Sequence, residues 1–216
     1  MMSLIFKQIV STKDIYYADA MLIYQKAFPP SERQPLSKIS ERITARKSEL
    51  FVGIVDEEVI CMALLWDFSN TDFTLLDYMA VSEMHRNNHF GSKLFNFLVD
   101  KVKGNHKFLL LEVENYLFGE NREQRKKRIN FYLNNGSYLL DNVPYMLPSL
   151  DKSLPFEAQL MIAPKYKSAH IKPSEIENLI KLLYQEIYEK SENDALLVSV
   201  LKEIPNKINF VNKRIP

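Results

Sequence analysis

The sequence predicts an α/β (α+β) fold: a mixed, mainly antiparallel sheet flanked by helices, with a helical C-terminal appendage. Three observations lead there. First, apolar runs at 50–55, 59–68 and 73–81 are joined only by the short polar turns Asp56-Glu57-Glu58 and 70–72, the pattern of an antiparallel meander. Second, the period then changes. From Gly91 onward Leu94, Leu98 and Val102 share one helical face with Phe95 and Val99 beside them, and Gly104-Asn105 ends the run. The almost wholly apolar stretch 108–113 follows, as expected of a strand covered on both sides, so strand, helix and strand form a crossover in a mixed sheet. Third, the tail carries an apolar helical stripe, Ile176, Ile180, Leu183 and Ile187, and a second apolar cluster at 195–201.

The remaining elements follow in order. Residues 4–10 are β-branched and aromatic enough for a strand. A helix is expected over 13–27, with Ile15, Ala18, Leu22 and Ile23 at helical spacing, stopping before Pro29-Pro30. A polar segment and Pro35 lead into a second helix at 37–46. A strongly charged helix is expected at 122–133, closed by Asn135-Gly136 in the position of a C-terminal cap. Strands are expected at 138–140, 145–147 and 158–162. Pro173 and Ser174, with Glu177 three residues on, resemble a capping box at the start of the tail helix. The chain is accordingly divided into a domain at 1–165 and an extension at 166–216 packed on it.

Composition narrows the function classes. A hydrophobic fraction of 46% with 25% charged residues is that of a folded chain with a core. A net charge of +1 supplies no attraction to nucleic acid or to an anionic membrane, and neither partner is expected. The sole cysteine, Cys61, cannot form an internal disulfide and lies in an apolar run, which suits a core residue in a reducing compartment better than a nucleophile. No run of 18 apolar residues and no signal-peptide pattern is present, so the expected location is cytoplasmic. Monomer and homodimer both remain open.

The stretch that carries chemistry runs FTLLDYMAVSEMHRNNHFGSKLFNFL, a strand, a polar loop and an amphipathic helix. A helix start at a strand end offers free backbone N–H groups and the positive end of a dipole, a site suited to a pyrophosphate. The loop from Arg86 through Asn87, Asn88, His89, Phe90 and Gly91 to Ser92 also resembles the acyl-CoA-binding motif of the GNAT superfamily of N-acetyltransferases. That motif has Arg or Gln, two residues, Gly, one residue, then Gly or Ala. Arg86 and Gly91 fill their places, and His89 stands where the first glycine is usual. The apolar approach Met79-Ala80-Val81 matches as well. The segment RINFYLNNGSYLL resembles the second GNAT motif, with Tyr132 at its tyrosine position and Ser137 replacing an aromatic. Residues 28–35, 111–114, 144–148 and Leu160-Met161 look like features of a bacterial GNAT subgroup without an assigned substrate, so the resemblance covers residues 1 to about 190.

The resemblance implies acetyl-CoA as co-substrate, its pyrophosphate cradled by residues 86–92 and its pantetheine arm along Met79, Ala80 and Val81. It implies direct attack of an amine, from a small molecule or a peptide, on the thioester. An amine arrives protonated, so a base is needed. Asp77, on the cofactor strand, is the first candidate, against the plain reading of a solvated sheet residue. Glu112 and Glu114 alternate on the next strand, so period 2 puts both on one face, where either serves the amine or pairs with the basic helix. Tyr132 is the implied proton donor to the departing thiolate, against a role as a packed aromatic. His85 and His89 are four apart but precede the helix and have no third ligand, so no metal is expected. Arg122, Arg125, Lys126, Lys127 and Arg128 form a basic cluster softened by Glu120 and Glu123, either a solvated face or an attractor for the 3′-phosphate or an acidic substrate. The competing function is a GNAT-fold acyl-CoA-binding module without efficient catalysis, acting as a sensor or partner protein.

Overall fold

A computed structural model describes residues 3–119, 121–150, 154–166 and 170–216, so Glu120 lies outside the described residues. The chain divides into two compact units, Met1–Leu109 and Leu110–Pro216. The expected boundary near 165 therefore falls inside the second unit.

In the first unit, β1 (Ile5–Ile9), β2 (Ser48–Val55), β3 (Glu58–Asp67) and β4 (Phe73–Val81) form an antiparallel meander in sequence order. The β2–β3 turn is closed by Asp56 and Glu57, with φ of 47° and 67°, a left-handed pair that follows the twist of the flanking strands. Gly53 faces Cys61 across the ladder, and a Cβ on Gly53 would lie 2.4 Å from the cysteine sulfur, so this crossing needs a glycine. Cys61 is fully buried, and burial pushes its thiol up to about 12, as expected of a core residue.

One sheet face is covered by α1 (Tyr17–Ala27) and α2 (Leu36–Thr44). Ala20, Met21, Ile23 and Tyr24 of α1 and Ile39 and Ile43 of α2 join Leu50, Val52, Met62, Leu64 and Tyr78 in one core. The expected apolar face of α1 is corrected in two ways. Ile15 is 78% exposed and Leu22 48% exposed. The reason is local: Asp14 accepts the Tyr16 N–H at 3.1 Å and the Lys7 ammonium at 2.7 Å, which holds this stretch as a turn and delays the helix to Tyr17. Helix α3 (Phe90–Gly104) buries Leu94, Phe95, Leu98 and Val102, and its Phe97 stacks on Phe6 with ring centroids 4.6 Å apart. Its end is a Schellman turn centred on His106 (φ 59°), with Lys107 N–H bonded to Val102 O at 2.9 Å, so the left-handed residue is His106 rather than Gly104 or Asn105.

In the second unit the strands run in the order β5 (Phe108–Glu114), β8 (Phe156–Ala163), β6 (Tyr138–Leu140), β10 (Ile208–Val211) and β9 (His170–Ile171), with β7 (Tyr145–Leu147) also on β8. Helix α4 (Arg122–Asn134) buries Ile129 and Leu133 and closes as expected: Gly136 has φ 85°, and Ser137 N–H reaches Tyr132 O at 3.0 Å. Helices α5 (Pro173–Leu182) and α6 (Ala195–Lys202) are the predicted tail helices, α5 running into a π-helical turn at Leu183–Ile187. The start signal of α5 is corrected by two residues: Glu175, not Glu177, accepts the Lys172 backbone N–H at 3.1 Å. The tail is also more than helical. β10 pairs antiparallel with β6, Phe210 opposite Leu140, a pairing over only two residues that no periodicity marks. Among the described residues no helix is long and apolar enough to cross a membrane.

Candidate functional site

Strand β4 carries one residue more than its partner. Leu64 faces Tyr78 and Leu65 faces Leu76, so Asp77 is the extra residue of a β-bulge. In a regular strand Asp77 and Tyr78 would point to opposite faces. Here both reach the α1–α2 layer. Asp77 Oδ2 lies 3.5 Å from the Arg42 guanidinium of α2, with side chains only 8% and 5% exposed. Arg42 also lies over the Trp66 ring at 4.9 Å, which orients it. Burial raises the Asp77 carboxyl to about 6, with Arg42 and then Lys38 pulling the other way. Tyr78 packs edge-on against Tyr24 and Phe28 at 4.8 and 4.9 Å. Its hydroxyl accepts the Gln34 N–H at 3.2 Å and donates to Glu32 O at 3.1 Å, clamping the segment that links α1 to α2.

Beyond Val81 the chain enters a 3₁₀ turn, Glu83–His85, fixed by a 2.8 Å hydrogen bond between Ser82 Oγ and His85 Nδ1. Arg86 is extended, Asn87 has φ 66° and His89 has φ 59°. His89 is the N-cap of α3, and no side chain caps that helix start. The first intrahelical bond runs from Lys93 N–H to His89 O at 3.0 Å, so the N–H groups of the first turn precede the ladder and are available to an anion. The residues from Arg86 to His89 are exposed, and Phe90, Gly91 and Ser92 half-buried. A glycine at position 89 would adopt this backbone without cost, and histidine tolerates it better than most residues. Among the described residues no three metal-ligating side chains come together.

In the second unit Glu114 is held by two arginines of α4, Arg125 at 2.9 Å and Arg128 at 3.1 Å. Glu112 takes different partners: the hydroxyl of Tyr145 donates to Oε1, and that of Tyr188 donates to Oε2 at 3.0 Å. Tyr132 is half-buried on α4, and burial raises its phenol, opposed by the nearby Arg128 charge. The far end of α4 is tied to the C-terminal segment. Asn130 exchanges two hydrogen bonds with the Ile215 backbone, both 2.9 Å, and Asn212 Nδ2 donates to Leu133 O at 3.1 Å and Ser137 O at 2.6 Å.

These features correspond to a known family. The model of the acetyltransferase (GNAT) family matches residues 16–132, more than half of the chain. The chain belongs to the GNAT acetyltransferase family. Among solved structures, a GNAT-family protein of Bacteroides thetaiotaomicron is similar at 23% identity and a TM-score of 0.72, over 87% of this chain and 99% of that one. The Salmonella typhimurium protein yncA, determined with its cofactor acetyl-CoA, is similar at 15% identity and 0.56, over 78% and 96%. The Escherichia coli ribosomal-protein-S18-alanine N-acetyltransferase is similar at 18% and 0.53, over 77% and 96%. At these identities the likeness is one of fold. No curated protein matches.

Within the first unit of this GNAT chain, Asp77, Met79, Ala80, Val81 and the 86–92 loop lie on one continuous strand, loop and helix start. Within the second, Glu114 and Tyr132 are linked through Arg128, which pairs with Glu114 and whose charge acts on the Tyr132 phenol. Sequence reasoning did not single out Arg42, although an arginine at i+3 from Ile39 and next to Ile43 on an apolar helix face is a visible anomaly. It also missed the tyrosine pair on Glu112 and the asparagines that tie down α4, for which no local pattern exists. The left-handed backbone at His89 leads to a test: His89→Val should cost about 1–2 kcal/mol, because a β-branched side chain is poorly tolerated there, whereas His89→Gly should be close to neutral. Urea unfolding of the two variants reads the difference.

Proposed function

We propose that this chain moves an acetyl group from acetyl-CoA directly to the amine of a small molecule or peptide. The observation that carries the reading is the uncapped start of α3 behind β4, within a chain of the GNAT family. In this reading residues 86–92 hold the pyrophosphate, with first-turn N–H groups as donors, and the pantetheine arm lies along Met79, Ala80 and Val81. The bulge at Asp77 interrupts the β3–β4 ladder, which supports a backbone N–H of β4 as the donor that polarises the thioester carbonyl. Acetyl-CoA should raise the midpoint of thermal unfolding, with about 2.7 kcal/mol of stabilisation at a hundredfold excess over its Kd and a logarithmic rise beyond it. No shift at millimolar cofactor would remove the reading.

Asp77 is proposed as general base. The amine must lose a proton before its lone pair attacks the thioester carbon, and a carboxylate accepts that proton only when ionised. With its carboxyl raised to about 6, Asp77 is ionised at neutral pH and is a stronger base than an ordinary aspartate. The sign follows: kcat/KM should fall about tenfold per pH unit below about 6 as the base is protonated. Asp77→Asn should lower activity at neutral pH by about 10²–10⁴-fold, with partial recovery at high pH where the free amine is abundant. An unaltered pH profile in the variant would take Asp77 out of the mechanism.

Tyr132 is proposed as the acid that returns a proton to the CoA thiolate. Its raised pKa keeps the phenol protonated until charge develops on sulfur. Glu114, expected to share the catalytic work, is engaged by Arg125 and Arg128, which supports a positioning role: it holds α4 and with it Tyr132. Tyr132→Phe should lower kcat while leaving the acetyl-CoA Kd unchanged. Thiol release in the presence of amine panels reads turnover; cofactor binding without any release would favour the non-catalytic binding module instead.

A further inference from the structure

An arginine seldom lies buried on the apolar face of a helix, because a guanidinium leaves water only where other groups compensate it. Arg42 does so on α2, beside the core residues Ile39 and Ile43. Two of its contacts bear on Asp77. Its guanidinium lies 4.9 Å over the ring of Trp66, itself buried on β3, and its Nη1 is 3.5 Å from Asp77 Oδ2. Trp66 stands opposite Leu75, two residues before the bulge at Asp77, so the stack and the ion pair converge on the same stretch of β4. All of these residues lie in the first unit. The contact engages one carboxylate oxygen. A bidentate clasp would occupy both. Among the described residues Arg42 faces Oδ2, and Oδ1 accepts no hydrogen bond, which leaves it a lone pair for a proton.

We propose that Arg42 is a positioning residue for acetyl transfer: held by Trp66, it binds the Asp77 carboxylate through Oδ2 and leaves Oδ1 to take the amine proton. This rests on the reading of Asp77 as general base. In that step one proton moves from the amine to Oδ1, the nitrogen pair attacks the thioester carbon, and the guanidinium keeps its own protons. Electrostatics agrees with the geometry. Burial favours the neutral acid, while Arg42 and then Lys38 of α2 favour the carboxylate, and the balance stands at about 6. The other titratable groups acting on Asp77 are the phenols of Tyr24 on α1 and Tyr78 on β4. Burial pushes Tyr24 up to about 12 and raises Tyr78 as well, so both stay neutral while Asp77 titrates. The sign follows: without Arg42 the effect of burial is opposed by Lys38 alone, and the Asp77 carboxyl rises.

The test joins carboxyl NMR to turnover. The full chain is labelled with carbon-13 at its aspartate carboxyls, and the Asp77 signal is assigned by its loss in Asp77→Asn. Arg42→Met should raise the Asp77 midpoint by about two pH units, within the range that an adjacent arginine accounts for. Arg42→Lys, which keeps the charge but loses the planar stack, should recover part of that shift. If Arg42→Met does not fold, the wild type decides: the Arg42 Nε signal should titrate with the Asp77 midpoint, and an Nε signal that ignores it overturns the proposal. Turnover is read as thiol release from acetyl-CoA with an equimolar mixture of n-butylamine, tyramine and glycinamide. The ratio of the Arg42→Met rate to the wild-type rate should climb from about one-tenth at pH 7 to near unity at pH 9.5, with the acetyl-CoA Kd unchanged. An arginine that only stabilises the fold would lower the rate equally at both. Glu41→Gln, an exposed acid on the same helix, should move neither midpoint nor ratio. An Asp77 midpoint unmoved in Arg42→Met, where Asp77→Asn abolishes the acid limb, overturns the role of Arg42 alone. No thiol release by the wild type, or an acid limb retained in Asp77→Asn, removes the base reading and this proposal with it.

Discussion

The extra residue in β4 is the constraint on which the first unit is organised. A regular strand would send Asp77 and Tyr78 to opposite faces; the bulge sends both toward α1 and α2. Tyr78 then becomes the post around which Tyr24, Phe28 and the Glu32–Gln34 backbone are arranged. Asp77 becomes a nearly buried carboxylate paired with Arg42, which is itself held against Trp66. A buried pair of this kind contributes little net stability, because desolvation offsets most of the attraction. Its consequence is chemical: the carboxyl is pushed toward neutral pH while staying largely ionised there.

In the second unit the comparable device is the immobilisation of α4. The helix buries little, Ile129 and Leu133, and its first two turns are mostly exposed and basic. Packing alone would hold such a helix loosely. Glu114 holds its front through two arginines, and the Asn130 and Asn212 hydrogen bonds hold its back. Tyr132 lies between those anchors. The basic cluster is thus partly structural: Arg125 and Arg128 are engaged with Glu114, leaving Arg122 and Lys127 to the solvated face.

Much of this was legible in the sequence, and the reasons are physical. The meander, α3, α4 with its glycine cap and both tail helices are written in local periodicity and turn chemistry, and the observed bounds of β4, β6 and β7 coincide with the expected ones. The loop at 86–92 was legible because a strand, a polar loop and a helix must leave N–H groups at the helix start. Other features depended on residues far apart in the chain. The bulge is a property of the β3–β4 register and has no local mark at Asp77. The pairing of Phe210 with Leu140 and the bonds from Asn130 to Ile215 each join segments many residues apart. Sequence by itself determined most of the elements, the family and the strand, loop and helix order around 86–92, because these follow from short-range backbone geometry and local motifs. Which carboxylate is buried, paired or exposed was decided only by tertiary packing, because a carboxylate's charge and basicity are set by what surrounds it.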